Sequence, residues 1–176
     1  MSKLFAVAVS LWAGCLASAA TLQQLSLDQM SQSATAIVRA RITSSYASFS
    51  GSTIYTHYKL QTSETWKGTP VPEVVIPGGQ ANGYRQTFPG MPSLQAGTEY
   101  VLFLWTSSTG ITHLVGLQQG IYSVSKLTDG TLQVSRAAVS ENILDARGNQ
   151  VKDQPVQMRM ADMKSRVSAA AGAAGR

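Results

Sequence analysis

The strongest constraint on this chain is a two-residue alternation of apolar and polar side chains that recurs between residues 36 and 134. At the start of this region Val38 and Ala40 alternate with Arg39 and Arg41. Successive side chains of a β-strand point to opposite faces, so the alternation predicts a half-buried strand whose outer face carries arginine. Because turn residues interrupt the pattern repeatedly, the sequence predicts a mainly β domain of antiparallel strands.

Turn residues divide this region into individual strands. A turn at Gly51-Ser52 joins the first strand to a second one that runs from Thr53 to about Trp66, and together they form a long hairpin. The run Tyr100–Trp105 is apolar without a break and predicts a central strand that is buried on both faces. The remaining predictions are a third strand at 71–76, a strand at 111–117, a bulge or sharp bend between Gly116 and Gly120, and a last hairpin of strands 121–126 and 131–134.

Helical signals lie on both sides of the strands. Ser26 and Gln29 have the spacing of a capping box, which predicts a short helix before the first long strand. Pro155 suits the first position of a helix, and the apolar residues that follow it predict an amphipathic C-terminal helix. Its methionine-rich stripe either packs on the β domain or binds a partner. We therefore expect the β domain to span residues 21–136, followed by a linker and helix at 137–176.

The first twenty residues have the pattern of a cleaved secretory signal peptide. A lysine precedes an apolar segment, which ends in small residues at Ala19 and Ala20. The segment is too short for a membrane span of roughly 20 apolar residues. Cleavage at this point predicts an exported chain, periplasmic or secreted, that has no membrane span. The alternative is a lipoprotein acylated at Cys15, but Trp12 stands where such a signal requires an aliphatic residue.

Composition excludes several classes of protein. The chain has one cysteine and two histidines, which leaves no disulfide framework and no Cys/His zinc site. Its formal net charge is +5, but no three basic residues are consecutive. This distribution argues against nucleic acid as the partner, because proteins that bind nucleic acid concentrate their positive charge. We expect neither a metal nor a cofactor.

Five segments carry a resemblance to known proteins, namely Ala36–Ile42, Trp66–Gly68, Ile76–Gly79, Gly97–Trp105 and Gly116–Gly120. They resemble an exported bacterial family of unassigned function, and their order is similar to that of netrin-like domains, which include tissue inhibitors of metalloproteinases. This resemblance implies a small antiparallel OB-like barrel. Metalloproteinase inhibitors chelate the target's metal through an amino-terminal cysteine. The expected mature chain begins at Thr21 instead, so the resemblance transfers no inhibitory residue.

The sequence offers no complete catalytic group. A Ser-His-Asp mechanism requires a histidine as base, and both His57 and His113 fall within strand patterns without a Gly-x-Ser-x-Gly elbow nearby. Glu64, Glu73 and Glu99 lie near strand ends, without the shared spacing that would define a carboxylate pair. We therefore predict no catalytic residue.

Three features remain as candidate binding surfaces. An outward row of basic and aromatic residues on the hairpin is either a surface for single strands or glycans, or the solvated side of a half-covered sheet. The tip of a long loop, Gly78–Gly97, either anchors an interface or caps the barrel. The amides of Gln118-Gln119 either bind a ligand or hydrogen-bond a bulged backbone. The row consists of Arg39, Arg41, Tyr55, His57 and Lys59, and the loop tip of Tyr84, Arg85 and Phe88.

These features favour a non-enzymatic, exported binding or interaction module over an enzyme. The favoured partner is an exported or envelope protein, and the favoured contact surface is the loop Gly78–Gly97, because its glycines and prolines shape it. Two alternatives stay open: an envelope enzyme of unidentified type and a glycan-binding β-barrel.

Overall fold

The computed structural model describes residues 21–173, and the predicted signal peptide with its alternative lipidation site, Cys15, lies outside them. Neither α-helix of the described region is long and apolar enough to cross a membrane. Within this region the chain forms thirteen strands, two α-helices and one 3-10 helix. In chain order the elements are β1 (Thr21–Gln23), α1 (Leu27–Ser33), β2 (Ala36–Ser50), β3 (Thr53–Lys67), β4 (Glu73–Pro77), β5 (Gly79–Ala81), β6 (Tyr84–Gln86), β7 (Glu99–Thr106), β8 (Thr112–Leu114), the 3-10 helix (Leu117–Gly120), β9 (Ile121–Lys126), β10 (Leu132–Arg136), β11 (Asn142–Leu144), β12 (Gln150–Val151), β13 (Val156–Arg159) and α2 (Met160–Ala173).

One large antiparallel sheet carries most of the chain. Its strands are ordered β13-β10-β9-β7-β2-β3-β4, and β8 also pairs with the end of β7. Strands β8, β7, β2, β3 and β4 curl into a barrel-like layer. Its two end strands, β8 and β4, lie side by side, but within residues 21–173 no strand pairing between them closes the layer. Two small sheets, β1-β11-β12 and β5-β6, complete the fold. The prediction of a mainly β, antiparallel fold with a short N-terminal and a C-terminal helix is therefore confirmed.

The central strand β7 separates two apolar cores. Tyr100, Leu102 and Leu104 point into the barrel-like layer, where they pack with the inner faces of β2, β3 and β4. Val101 and Phe103 point the other way and pack with apolar residues of α1, α2 and β9. All five side chains are buried. The apolar run therefore correctly predicted a central strand with two buried faces over these residues.

The last residue of that run is not buried. Trp105 is 46% exposed, because the apolar cluster that covers the same face at Val101 and Phe103 ends before it. The indole stacks instead on His113 of β8, with 6.1 Å between the ring centroids. The prediction of burial was wrong for this residue, since hydrophobicity along a strand does not indicate where the covering layer ends.

The C-terminal helix begins later than predicted. Residues Val156–Arg159 form β13, which pairs with β10, and α2 begins at Met160. The predicted helix start at Pro155 was therefore wrong. Val156 and Met158 of this segment lie two positions apart, which is the spacing of one strand face, and both pack against the second core while the segment pairs with β10. Buried Met163 and Val167 pack α2 against the second core, as predicted for the methionine-rich stripe.

The β2–β3 hairpin is longer than the sheet that surrounds it. β7 pairs with residues 36–41 of β2 and no further. We define residues 36–42 and 60–67 as the proximal half of the hairpin, and residues 44–50 and 53–59 as its distal half. Irregular register separates the two halves, and β4 pairs with β3 along the distal half. The distal half positions the candidate site.

Candidate functional site

A cleft of about 680 Å³ lies on the outer face of the distal half, and we name it the outer cleft. Residues of β2, β3 and β4 form its floor, and the turn between β7 and β8 forms the opposite wall. Directly opposite residues of antiparallel strands share one face, so the pairs Tyr46–His57 and Ser48–Tyr55 lie together on this floor. His113 lies on the opposite wall. Tertiary structure thus brings both histidines of the chain to one cleft.

A continuous chain of hydrogen bonds runs along the floor of the outer cleft. Ser48 Oγ lies 3.1 Å from Nε2 of His57, and Nδ1 of the same ring lies 2.9 Å from Glu73 Oε1. Lys59 Nζ binds the other carboxylate oxygen at 2.6 Å. The phenol ring of Tyr46 stacks on the imidazole, with 4.6 Å between centroids and 9° between planes. These contacts hold the imidazole in one orientation.

The ionisation of Glu73 decides the direction of these hydrogen bonds. Burial acts to raise the pKa of Glu73, but hydrogen bonds from Lys59 and His57 outweigh it and hold that pKa below its ordinary value. An ionised carboxylate only accepts hydrogen bonds, so Nδ1 of His57 carries the proton. In the neutral ring Nε2 is then the acceptor for the hydroxyl of Ser48. The carboxylate thus selects the tautomer in which the imidazole is a base toward the serine.

Exposed apolar side chains surround this polar floor. Tyr46, Phe49 and Ile111 line the outer cleft and are 48%, 41% and 44% exposed. Phe49 contacts Tyr84 edge-on, with 6.1 Å between ring centroids. Exposed Trp105 stacks on His113, which lines the cleft. Apolar side chains grouped around a cleft, with a few fixed polar groups inside it, are typical of a binding site.

Among the residues that the structure describes, no strand pairs with the far edge of β2 in the distal half. Within residues 21–173, pairing with β7 ends at Arg41, and beyond that point β2 pairs only with β3. We name residues 44–50 of β2 the open edge. They include no charged residue and no proline, which are the usual means by which proteins protect an exposed edge.

The hairpin turn determines which backbone groups face the open edge. Residues next to a two-residue turn hydrogen-bond each other, and such pairs alternate along the strands, so Phe49 and Ile54 form a pair without mutual hydrogen bonds. The N–H of Ile54 accordingly donates to Gln86 Oε1 at 2.6 Å, on the side away from β2. By the same alternation, Ser45, Ala47 and Phe49 direct their N–H and C=O groups out of the open edge.

Two arginines of the predicted outward row lie outside the outer cleft. Half-buried Arg39 binds Glu64 and Glu99, each at 2.9 Å. Lys164 of α2 also reaches Glu64, at 2.7 Å, and we name these four residues the Arg39 cluster. Arg41 donates to a backbone carbonyl just before β7. The row is therefore divided: the arginines join elements of the proximal half, whereas the three members from β3 line the cleft.

The Arg39 cluster depresses the pKa of one carboxylate strongly. Hydrogen bonds from Lys164 and then Arg39 lower the pKa of Glu64 to about 2. For Glu99, burial acts to raise the pKa, but the hydrogen bond from Arg39 and others outweigh it, so that pKa is also lowered. Both carboxylates are thus ionised at neutral pH, and Arg39 is committed to them.

Part of the predicted loop Gly78–Gly97 is a hairpin. β5 and β6 pair through a turn at Asn82-Gly83, and both turn residues have positive φ. Gly79 lies so close to the inner face of the distal half that a Cβ there would lie 2.5 Å from Thr56 Oγ1. The prediction of an irregular loop was therefore wrong for residues 79–86. The Asn-Gly dipeptide is a strong hairpin signal and could have located it.

The residues of the predicted loop tip lie beside the outer cleft and do not line it. Tyr84 is 68% exposed and reaches the cleft only through its contact with Phe49. Arg85 and Phe88 line a second pocket of about 240 Å³, on the inner face of the hairpin. The structure therefore does not bring the loop tip and the cleft residues into one surface.

The amide pair Gln118-Gln119 serves the fold. Gln119 is 2% exposed; its Oε1 accepts from the N–H of Leu25 at 2.8 Å, and its Nε2 donates to the carbonyl of Gln23 at 2.9 Å. The predicted bend is a 3-10 helix that begins after Gly116, whose φ is 65°. The amide thus satisfies backbone groups, as one of its two interpretations predicts, although they belong to the segment between β1 and α1.

Sequence reasoning missed two residues of the hydrogen-bond chain on the cleft floor, Ser48 and Glu73. Ser48 could have been found by counting back from the Gly51-Ser52 turn, since the turn fixes the register and places Ser48 diagonally across from His57. Glu73 could not, because its place opposite Lys59 depends on the pairing of β4 with β3. That pairing is set by packing rather than by a local signal.

In comparisons with known proteins, no family model matches the sequence, and no curated protein matches it significantly. Among residues 21–173, no group of three or more His, Cys, Asp or Glu side chains is arranged to hold a metal ion. The site offers two chemical capabilities. It can pair with an extended backbone at the open edge, and it can accept a proton from Ser48 at His57.

Proposed function

We propose that this chain is an exported binding module that holds an extended peptide segment of a partner protein along the open edge, with the partner's side chains in the outer cleft. The observation that carries this proposal is the position of the unprotected edge directly beside a cleft of about 680 Å³. The partner is itself an exported or envelope protein, because the signal-like N-terminus predicts export.

The chemistry of the open edge selects the occupant. Ser45, Ala47 and Phe49 present alternating N–H and C=O groups, and these groups gain hydrogen bonds when another strand lies alongside. An extended peptide matches this spacing along its whole length, whereas a globular surface or a sugar matches it at isolated points. Addition of a strand to an exposed edge is a recurring mode of peptide recognition.

The outer cleft supplies selectivity for side chains. Alternate side chains of an added strand point to the outer face of the hairpin, where Tyr46 and Ile111 form the apolar rim. Lys59 and Glu73 neutralise each other at the floor, so the cleft does not favour a strongly charged ligand. We expect a partner segment with aromatic or aliphatic residues at alternate positions.

The test uses a phage-displayed library of random linear peptides selected on the mature chain. Peptides that bind should lose at least tenfold in affinity with Ala47→Pro, which removes an N–H at the open edge without removing a hydrogen bond to β3. Ala47→Ser keeps that N–H and is the matched control, with affinity unchanged. Amide hydrogen exchange should slow at Ser45, Ala47 and Phe49 when the selected peptide is bound.

Two results would overturn the proposal. One is a selected peptide that binds Ala47→Pro as tightly as the parent chain. The other is that no peptide is selected, whereas a glycan from an array binds the chain. That binding would have to depend on Tyr46 and Ile111 but not on Ala47. The second result would establish the glycan-binding alternative instead.

Export is tested on material from the native host. Mass spectrometry should find an amino terminus at Ala20 or Thr21. An acylated terminus at Cys15 would replace the soluble exported form with a lipoprotein.

A further inference from the structure

The hydrogen bonds on the floor of the outer cleft join three groups in a specific order: a hydroxyl, an imidazole and a carboxylate. Ser48 Oγ meets Nε2 of His57, and the opposite ring nitrogen meets Glu73 Oε1. The imidazole is thus positioned through both nitrogens, and the ionised carboxylate leaves its basic nitrogen toward the serine. This is the arrangement by which serine hydroxyls are activated as nucleophiles on unrelated folds.

We propose that Ser48 is a nucleophile that accepts acyl groups from activated esters, with His57 as general base and Glu73 as a positioning residue. This activity goes beyond peptide binding and does not depend on it. Ser48 is half-buried at the floor of a cleft large enough for an acyl group, so the hydroxyl is accessible to a substrate.

The chemical step is an ordinary acyl transfer. Ser48 Oγ attacks the carbonyl carbon of the ester while Nε2 of His57 takes the hydroxyl proton. The tetrahedral intermediate collapses, its bond to the alcohol oxygen breaks, and His57 gives the proton to the departing alcohol. Water then attacks the acyl-serine, and His57 takes a proton from that water and returns it to Ser48 Oγ as the carboxylic acid leaves. No group is oxidised or reduced.

Two neighbours support this role. Tyr55 lies directly opposite Ser48 and lines the same cleft, which makes its hydroxyl the candidate donor for the negative charge that develops on the carbonyl oxygen. Lys59 binds the second oxygen of Glu73 at 2.6 Å and so keeps the carboxylate ionised and oriented. The outer face of the sheet therefore brings together a nucleophile, a base, a positioning carboxylate and a candidate oxyanion donor.

The first experiment is covalent labelling of the mature chain with a fluorophosphonate probe, followed by intact-mass and peptide mass spectrometry. We expect a single adduct on Ser48 and its loss in Ser48→Ala. The control is Ser125→Ala, because Ser125 is an exposed serine of β9 that does not line the outer cleft. Labelling of Ser125→Ala should equal that of the parent chain.

The second experiment separates the roles of the base and the positioning residue. His57→Gln should slow labelling by roughly 100-fold, the usual contribution of a general base, and Tyr55→Phe by a smaller factor. Glu73→Gln should also slow labelling and should shift the nitrogen NMR signals of the His57 ring, because the tautomer is no longer fixed. Thermal melting of each variant shows that the loss is not unfolding.

The proposal is overturned if the probe labels no residue, or if Ser48→Ala or a folded His57→Gln is labelled as fast as the parent chain. Such a result leaves the peptide-binding proposal intact, because Ala47→Pro tests the open edge alone. Conversely, Ser48 could be labelled while Ala47→Pro binds the peptide as tightly as the parent chain does. That pair of results would support the nucleophile and show that the proposed binding mode is wrong.

Discussion

The two halves of the β2–β3 hairpin share one strand geometry and differ in what surrounds them. In the proximal half β7 pairs with the edge, the Arg39 cluster and α2 lie on the outer face, and the first core fills the inner face. In the distal half one edge is open within the described residues, and the outer face is the floor of a cleft. The hairpin is thus stabilised at one end and exposes backbone and polar side chains at the other, which separates the support of the fold from its candidate site.

The largest loss of stability is expected in the first core, beside the proximal half. Leu102→Ala in β7 removes a fully buried side chain that packs on the proximal half, and the cavity should lower the free energy of unfolding by about 2–5 kcal/mol. Chemical denaturation measures this change. Phe49→Ala in the distal half is the comparison, since its side chain is 41% exposed and should cost far less. Equal losses in the two variants would mean that the halves are not supported differently.

The Arg39 cluster provides the next largest effect. Arg39→Met removes the cation that binds two carboxylates at 2.9 Å, which leaves Glu64 with Lys164 and removes the salt bridge of Glu99, so the free energy of unfolding should fall by about 1–3 kcal/mol. Lys59→Met is the control in the distal half, because that pair lies at the surface and contributes little. Denaturant midpoints measure both variants. A larger loss in Lys59→Met would contradict the assignment of support to the proximal half.

Acid should weaken the same cluster. The pKa of Glu64 is lowered from 4.5 to about 2, so its contribution to stability is complete above the unfolded value and is lost as pH falls from 4.5 toward 2. The melting temperature should therefore decrease across this range. Glu64→Gln cannot gain that proton and should show a shallower decrease. An identical pH dependence in the variant would show that other groups cause the acid sensitivity.

The elements that sequence reasoning predicted well are those with local causes. The capping box at Ser26 and Gln29 forms as predicted, with both of its hydrogen bonds present. The turn at Gly51-Ser52 fixes the hairpin register, and the uninterrupted apolar run correctly marks β7 as central. The errors at Trp105 and Pro155 have a tertiary cause, since a covering layer ends in one case and strand pairing replaces a helix in the other.

The candidate site was predicted only in part, because it combines local and tertiary contacts. Alternation along β3 correctly placed His57 and Lys59 on one outer face. The remaining members come from three other segments, so no spacing in the sequence joins them: Ser48 comes from β2, Glu73 from β4 and His113 from β8. The open edge was also inaccessible to sequence reasoning, since it exists because β7 begins opposite Arg41, partway along β2.

The smallest effect is expected at the loop tip, and it tests whether the outer cleft or the loop binds the partner. Tyr84→Ala removes an edge-on contact with Phe49 whose ring centroids are 6.1 Å apart. Because Tyr84 is 68% exposed, we expect the interaction between its ring and that of Phe49 to contribute only about 0.5 kcal/mol, near the lower limit for aromatic pairs. The affinity for a peptide selected on the parent chain should then fall roughly twofold as Phe49 loses its support, with no measurable change in melting temperature. Arg85→Ala is the matched control, since Arg85 lines the pocket on the opposite face and should leave that affinity unchanged. If Arg85→Ala abolished binding while Ala47→Pro preserved it, the contact surface would lie on the loop, and the open edge would not bind the partner.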